Sequence, residues 1–161
     1  MAYPPGARHV YQLAQVNVAR PVAPLTDPAL AGFVEALEPV NALADAAPGF
    51  VWRLQDDTGN ATSIKLFEDE LEIVNFSVWE SIEALADFVY RTAHREFLNR
   101  RREWFERHVE VDVVLWWVPA GHVPTVDEAK DRLELLRAKG PTPDAFTFRT
   151  PSPAPEAPSD R

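Results

Sequence analysis

The residues with the clearest chemical potential lie in the stretch TAHREFLNRRREWFERH, from Thr92 to His108. Read as a helix at about 100° per residue, His94 and Arg101 fall within about 20° of each other. They are one heptad apart and share an apolar stripe with Leu98, Phe105 and Trp104. Glu96, Asn99, Glu103 and Glu106 take the opposite face. Arg100 and Arg102 diverge to the flanks, so the three consecutive arginines do not form one cationic patch. An imidazole and a guanidinium on one inward stripe supply a proton shuttle and a fixed positive charge. That pair tips the reading toward a pocket that holds something small. Plain structural roles are also open to them. Arg101 can pair with a buried carboxylate such as Asp112 or lay its stem along the core edge. His94 can be a hydrogen-bonded core histidine, and His108 can cap the end of the helix.

A second set of polar residues interrupts the apolar strands. Gln15 and Asn17 alternate with apolar neighbours in HVYQLAQVNV, and Asn75 and Ser77 do so in LEIVNFSVW, which ends on Trp79. A buried amide without a partner costs free energy, so these groups either pair with one another or line a cavity. The tryptophans Trp52, Trp79, Trp104, Trp116 and Trp117 are flat surfaces for a planar aromatic ligand, and equally good packing for a core or a subunit interface. There is no nucleophile elbow, no phosphate-cradling glycine loop and no paired metal-ligand spacing among His9, His94, His108 and His122.

The elements that must position these residues follow from pattern and punctuation. A strand over His9–Val18 is ended by the prolines of ARPVAPLTDP. Thr26 or Asp27 caps a helix that runs to about Ala47 and should kink or break at Pro39. PGFVWRLQ and Leu71–Trp79 read as the next two strands, ESIEALADFVY and Ala93–His108 as helices, and Val111–Pro119 as the fourth strand. A final helix is capped at Thr125, with Glu128 three residues later, and stops at Gly140-Pro141. AFTF reads as a short edge strand. The order β-α-β-β-α-β is an α+β, ferredoxin-like pattern with one antiparallel sheet and an extra C-terminal helix. Residues 1–8 are expected to be flexible, 9–149 to form a single domain, and 150–161 to be a disordered Pro-rich tail. The strands are apolar on both faces and the helices are enough for one. A homodimer packed through the open sheet face is therefore expected.

Composition narrows the function. A net charge of −9 argues against nucleic acid as a partner and against an anionic membrane surface. The absence of cysteine removes disulfides, iron–sulfur clusters and thiol catalysis and fits a cytoplasmic setting. The N-terminus MAYPPGARHV has no apolar core of a signal peptide.

The stretches FSVWESIEALADFVYRTAHREFLNRRREWF and VLWWVPAGHVPTVDEAKDRLELLRAKGPTPDAFTF resemble a bacterial family known as a domain of unknown function. That family belongs with the antibiotic-biosynthesis-monooxygenase-like dimeric α+β barrels. The resemblance implies two candidate sites. Cofactor-independent, quinone-forming members carry an Asn and a Trp four residues apart near a strand end, as Asn75 and Trp79 are. Haem-degrading members use an Asn on the first strand, a Trp at a strand end and a helical His on the iron, which Asn17, Trp79 and His94 would match. Arg101, one heptad after His94, departs from the haem pattern, and a cation there suits an anionic phenolate, a carboxylate or a haem propionate. The leading expectation is an enzyme that uses no cofactor or metal and acts on a planar phenolic or polyketide-like substrate. His94, Arg101 and Asn75 would be catalytic, and Asn17, Trp79, Trp104 and Trp116 would contact the substrate. A cyclase or isomerase would use the same groups. Haem bound through His94, and a non-enzymatic dimeric module, are the alternatives.

Overall fold

A computed structural model of the chain describes residues 10–55, 65–67, 71–92, 94–107 and 112–156. Four strands, β1 (Tyr11–Ala19), β2 (Phe50–Arg53), β3 (Ile73–Trp79) and β4 (Val113–Pro119), form one sheet in the order β2-β3-β1-β4. All of its pairings are antiparallel. Helix α1 (Ala31–Ala46) joins β1 to β2 and helix α2 (Ile82–Arg91) follows β3. The ferredoxin-like α+β order expected from the sequence is the one that forms.

Local chemistry fixes the helix ends. Asp27 Oδ1 accepts from Ala29 N at 2.9 Å, at the head of a short 3-10 turn over Pro28–Leu30 that leads into α1. Ser81 Oγ accepts from Ala84 N and Thr125 Oγ1 from Glu128 N, both at 3.1 Å. Helix α5 (Val126–Lys139) ends at Gly140, whose φ of 73° lies in the region that favours glycine. Pro39 was expected to interrupt α1, yet the helix continues through it over 16 residues. Pro39 sits on the exposed side, where the one missing backbone hydrogen bond is left to water.

Two further expectations are corrected. The run from Ala93 to His108 is not one helix. It divides into α3 (His94–Asn99) and α4 (Arg101–Trp104), and the chain is extended by Phe105. There it pairs with the segment after β1: Val22 N donates to Trp104 O at 2.8 Å and Glu106 N to Arg20 O at 2.9 Å. That pairing competes with helical continuation and wins. His9, Ala93, His108 and Val111 lie outside the described residues.

The second correction concerns the premise that one sheet face is left uncovered; the homodimer itself is a separate matter of association. Val16, Phe76, Val78 and Trp116 on that face are in one cluster with Ala129, Leu133 and Leu136 of α5. The C-terminal helix therefore covers this face within the chain. A second copy packing sheet on sheet would first have to displace it. The expected edge strand AFTF shrinks to a bridge of Phe146 with Leu115. The Pro-rich tail is described as far as Glu156 and is fastened at one point, where Trp117 Nε1 donates to Ser152 O at 2.9 Å.

Candidate functional site

The opposite face of the sheet carries the polar alternation. Strand register places Gln15 across from Ser77 and Asn17 across from Asn75. Period-two geometry turns all four, with Trp79, toward the same side. Between this face and helices α1 to α4 lies a cavity of about 820 Å³. Its lining includes Asn17, Asn75, Trp79, His94 and Arg101, five of the seven residues singled out in the sequence.

The cavity floor is a connected set of hydrogen bonds. Gln15 Nε2 donates to Asn75 Oδ1 at 2.7 Å and to Ser77 Oγ at 2.8 Å. Trp79 Nε1 donates to Ser77 Oγ at 2.8 Å. The amides both pair with one another and line a cavity. With its carbonyl oxygen engaged by Gln15, Asn75 offers its amide hydrogens toward a ligand. With both acceptor positions taken, Ser77 keeps its hydroxyl hydrogen to donate.

One wall is aromatic. Phe88 of α2 stacks on Trp79 with centroids 5.2 Å apart and planes 28° from parallel. His94 lies against Phe88 at 5.1 Å. Its Nδ1 is 3.3 Å from the Val89 carbonyl, which favours the tautomer with hydrogen on Nδ1. Burial lowers the His94 pKa below its ordinary 6.5, against the opposing pull of the Val89 contact. The imidazole is therefore neutral at pH 7 and able to accept a proton.

The mouth is cationic. Arg101 lines the cavity but is exposed, with Nη1 donating to the Leu98 carbonyl at 3.0 Å. It makes no ion pair with Asp112, so the carboxylate pairing considered for it is not adopted. Its place in the lining does not come from a continuous helical stripe with His94, since α3 ends between them.

Trp104 and Trp116 are not part of the lining. Trp104 is 2% exposed and packs with Leu30 and Phe33 behind the cavity wall, with the Arg100 guanidinium 4.6 Å from its ring centre. Trp116 is fully buried on the far face of the sheet under α5, and its Nε1 donates to Glu128 Oε2 at 3.0 Å. The groups missed as site residues are Gln15 and Ser77, and Arg102, Arg107 and Arg149 at the mouth. The same alternation that marked Asn17 and Asn75 marks Gln15 and Ser77. Arg149 reaches the site only through the fold of the C-terminal segment, for which local pattern carries no signal.

Among the described residues no group of three His, Asp or Glu side chains is placed to hold a metal ion, and no helix is long and apolar enough to cross a membrane. The sheet and helices α1 to α4 thus frame a polar-floored cavity. Over residues 12–161 the chain matches, and belongs to, the family described as Domain of unknown function (DUF3291). No curated protein matches it. Among solved structures it is similar to PA3566 from Pseudomonas aeruginosa (13% identity, TM-score 0.47, covering 72% of this chain and 100% of that one). It is also similar to SnoaB, a cofactor-independent oxygenase from Streptomyces nogalater (15%, 0.43, 70% and 95%). A Nitrosomonas europaea protein carrying the antibiotic biosynthesis monooxygenase name is a third (17%, 0.43, 73% and 94%).

Proposed function

We propose that this protein is a small-molecule enzyme of the monooxygenase type, acting on a planar phenolic or polyketide-like substrate without a metal. The observation that carries the reading is the floor of the cavity, where Gln15 and Ser77 hold Asn75 and Trp79 in fixed orientations beside the Phe88 and His94 rings. A flat aromatic substrate would lie along that wall. Neutral His94 would take the proton from an acidic C–H or phenol, and the positive mouth would stabilise the anion left behind. Asn75 would donate to the oxygen added. In such chemistry the electron-rich ring reduces dioxygen itself: a CH₂ becomes C=O, one oxygen atom enters the substrate and the other leaves as water. A panel of anthrones and naphthols should show oxygen uptake matched to quinone formed, with the rate lost in Asn75→Ala. Binding across the panel with no uptake above the spontaneous rate would leave a binding protein rather than an oxygenase.

A second reading, haem bound through His94, is favoured by the Val89 carbonyl at Nδ1, an arrangement that orients Nε2 as a ligand atom. It is tested by mixing the protein with haemin. A sharp Soret band lost in His94→Ala supports it, and an unchanged haemin spectrum excludes it.

A further inference from the structure

We propose that the substrate carries a phosphate group, held at the cavity mouth by Arg101, Arg102, Arg107 and Arg149. The proposal rests on the reading of the cavity as a site for a planar aromatic molecule and adds what that molecule must bear. Five arginines line the cavity against two carboxylates, in a chain whose net charge is −9. Arg53 is neutralised by Asp45, its Nε 2.7 Å from Oδ1, and Glu106 is neutralised by Arg20 at 2.8 Å. Four arginines then remain against one carboxylate, Asp112. Arg102, Arg107 and Arg149 make no ion pair with an acidic side chain among the described residues, and Arg101 donates only to a carbonyl. Outside the lining, Arg91 of α2 is paired with Asp87, and Arg100 with Glu103 at 2.9 Å.

Like charges around one cavity repel one another and lower stability unless a counter-charge arrives. A single carboxylate of a ligand would satisfy one guanidinium fork and leave the rest in excess. A phosphate ester brings about two charges at neutral pH and three acceptor oxygens, which several guanidinium groups can share. The floor is donor-rich too, through Asn75 and Ser77, so both ends of the cavity ask for acceptors. The phosphate can belong to the substrate itself or to a phosphopantetheine-type carrier to which it is attached.

A charge series of one ring system tests this: 1-naphthol, 1-naphthoate and 1-naphthyl phosphate, titrated against the full chain by fluorescence. Affinity should rise along the series, with the phosphate at least about tenfold tighter than the naphthol. That preference should shrink as salt is raised. It should collapse in Arg101→Gln/Arg149→Gln, while the circular dichroism spectrum stays as in the wild type. Arg102→Gln/Arg107→Gln is the companion pair if the first misfolds, and Arg91→Gln, outside the cavity, should change nothing. Displacement of naphthyl phosphate by coenzyme A would assign the phosphate to a carrier, and no displacement to the substrate. Equal affinity across the series, or a preference that survives both arginine pairs, overturns the phosphate while leaving the aromatic cavity intact. No binding of any of the three overturns the cavity reading and this inference with it.

Discussion

Ser77 is the point on which the site's geometry turns, because its oxygen accepts from both Gln15 and the Trp79 indole. Ser77→Ala leaves two donors on a largely buried face without that acceptor. Chemical denaturation should show a loss of about 1–3 kcal/mol. An unchanged midpoint would mean that water or a neighbour replaces the hydroxyl. Arg101 behaves oppositely. It is exposed with no carboxylate against it, so Arg101→Met should move stability by no more than about 0.5 kcal/mol. His94 carries a pH dependence whose sign follows from its lowered pKa. Above 6.5 both folded and unfolded chains hold a neutral imidazole and nothing is lost. As pH falls below 6.5, the unfolded chain takes up the proton first, so stability declines until the folded pKa is passed. Melting curves between pH 7.5 and 5 should show that slope in the wild type and a shallower one in His94→Phe. At this scale Asn17, Asn75 and Trp79 were legible because a strand's alternation fixes which side each residue takes. Trp116 was misjudged because alternation tells two faces apart without telling which of them holds the cavity.

At the scale of elements, α5 is held to the sheet by apolar contact and by one polar lock. Glu128 receives Trp116 Nε1 at 3.0 Å and lies 2.8 Å from His122 Nε2. Burial pushes the Glu128 carboxyl upward, but its hydrogen bonds from His122 and Trp116 outweigh this and hold it below the usual 4.5. That contribution is present above the unfolded pKa and fades as pH falls through the folded one. Leu133 has no exposed surface in the cluster α5 shares with the sheet. Leu133→Ala should cost about 2–5 kcal/mol in a denaturant melt, and a smaller loss would show that the helix is loosely seated. The caps at Ser81 and Thr125 and the stop at Gly140 were readable because single residues define them. The break between α3 and α4 was not. It contains no glycine or proline, and the stop that follows at the end of α4 is set by a pairing of Trp104 and Glu106 with residues 20–22, some eighty positions earlier in the chain. The covering of the second face by α5 was unreadable for the same kind of reason: the pattern of α5 gives an amphipathic helix without giving its destination.

For the molecule as a whole, the closed second face removes the argument for sheet-to-sheet dimerisation. Light scattering at micromolar concentration should return about the chain mass of 18.1 kDa. Twice that value would show either association through another surface or departure of α5 from the sheet. The arginines gathered at the cavity do not make a nucleic-acid surface on a chain of net charge −9, and no retention of duplex DNA is expected at physiological salt. The cavity draws its lining from Gln15 near one end of the described chain to Arg149 near the other. Its floor lies on β1 and β3, and β1 pairs with β3 on one side and with β4 on the other. Contacts of such long sequence separation form late. During synthesis the first strand leaves the ribosome with neither neighbour available, and the last wall of the cavity, at Thr147, Phe148 and Arg149, follows well over a hundred residues later. A nascent chain therefore cannot hold a molecule in this pocket until that wall has emerged, and a ligand bound there would stabilise only the finished fold and not any stage of its making.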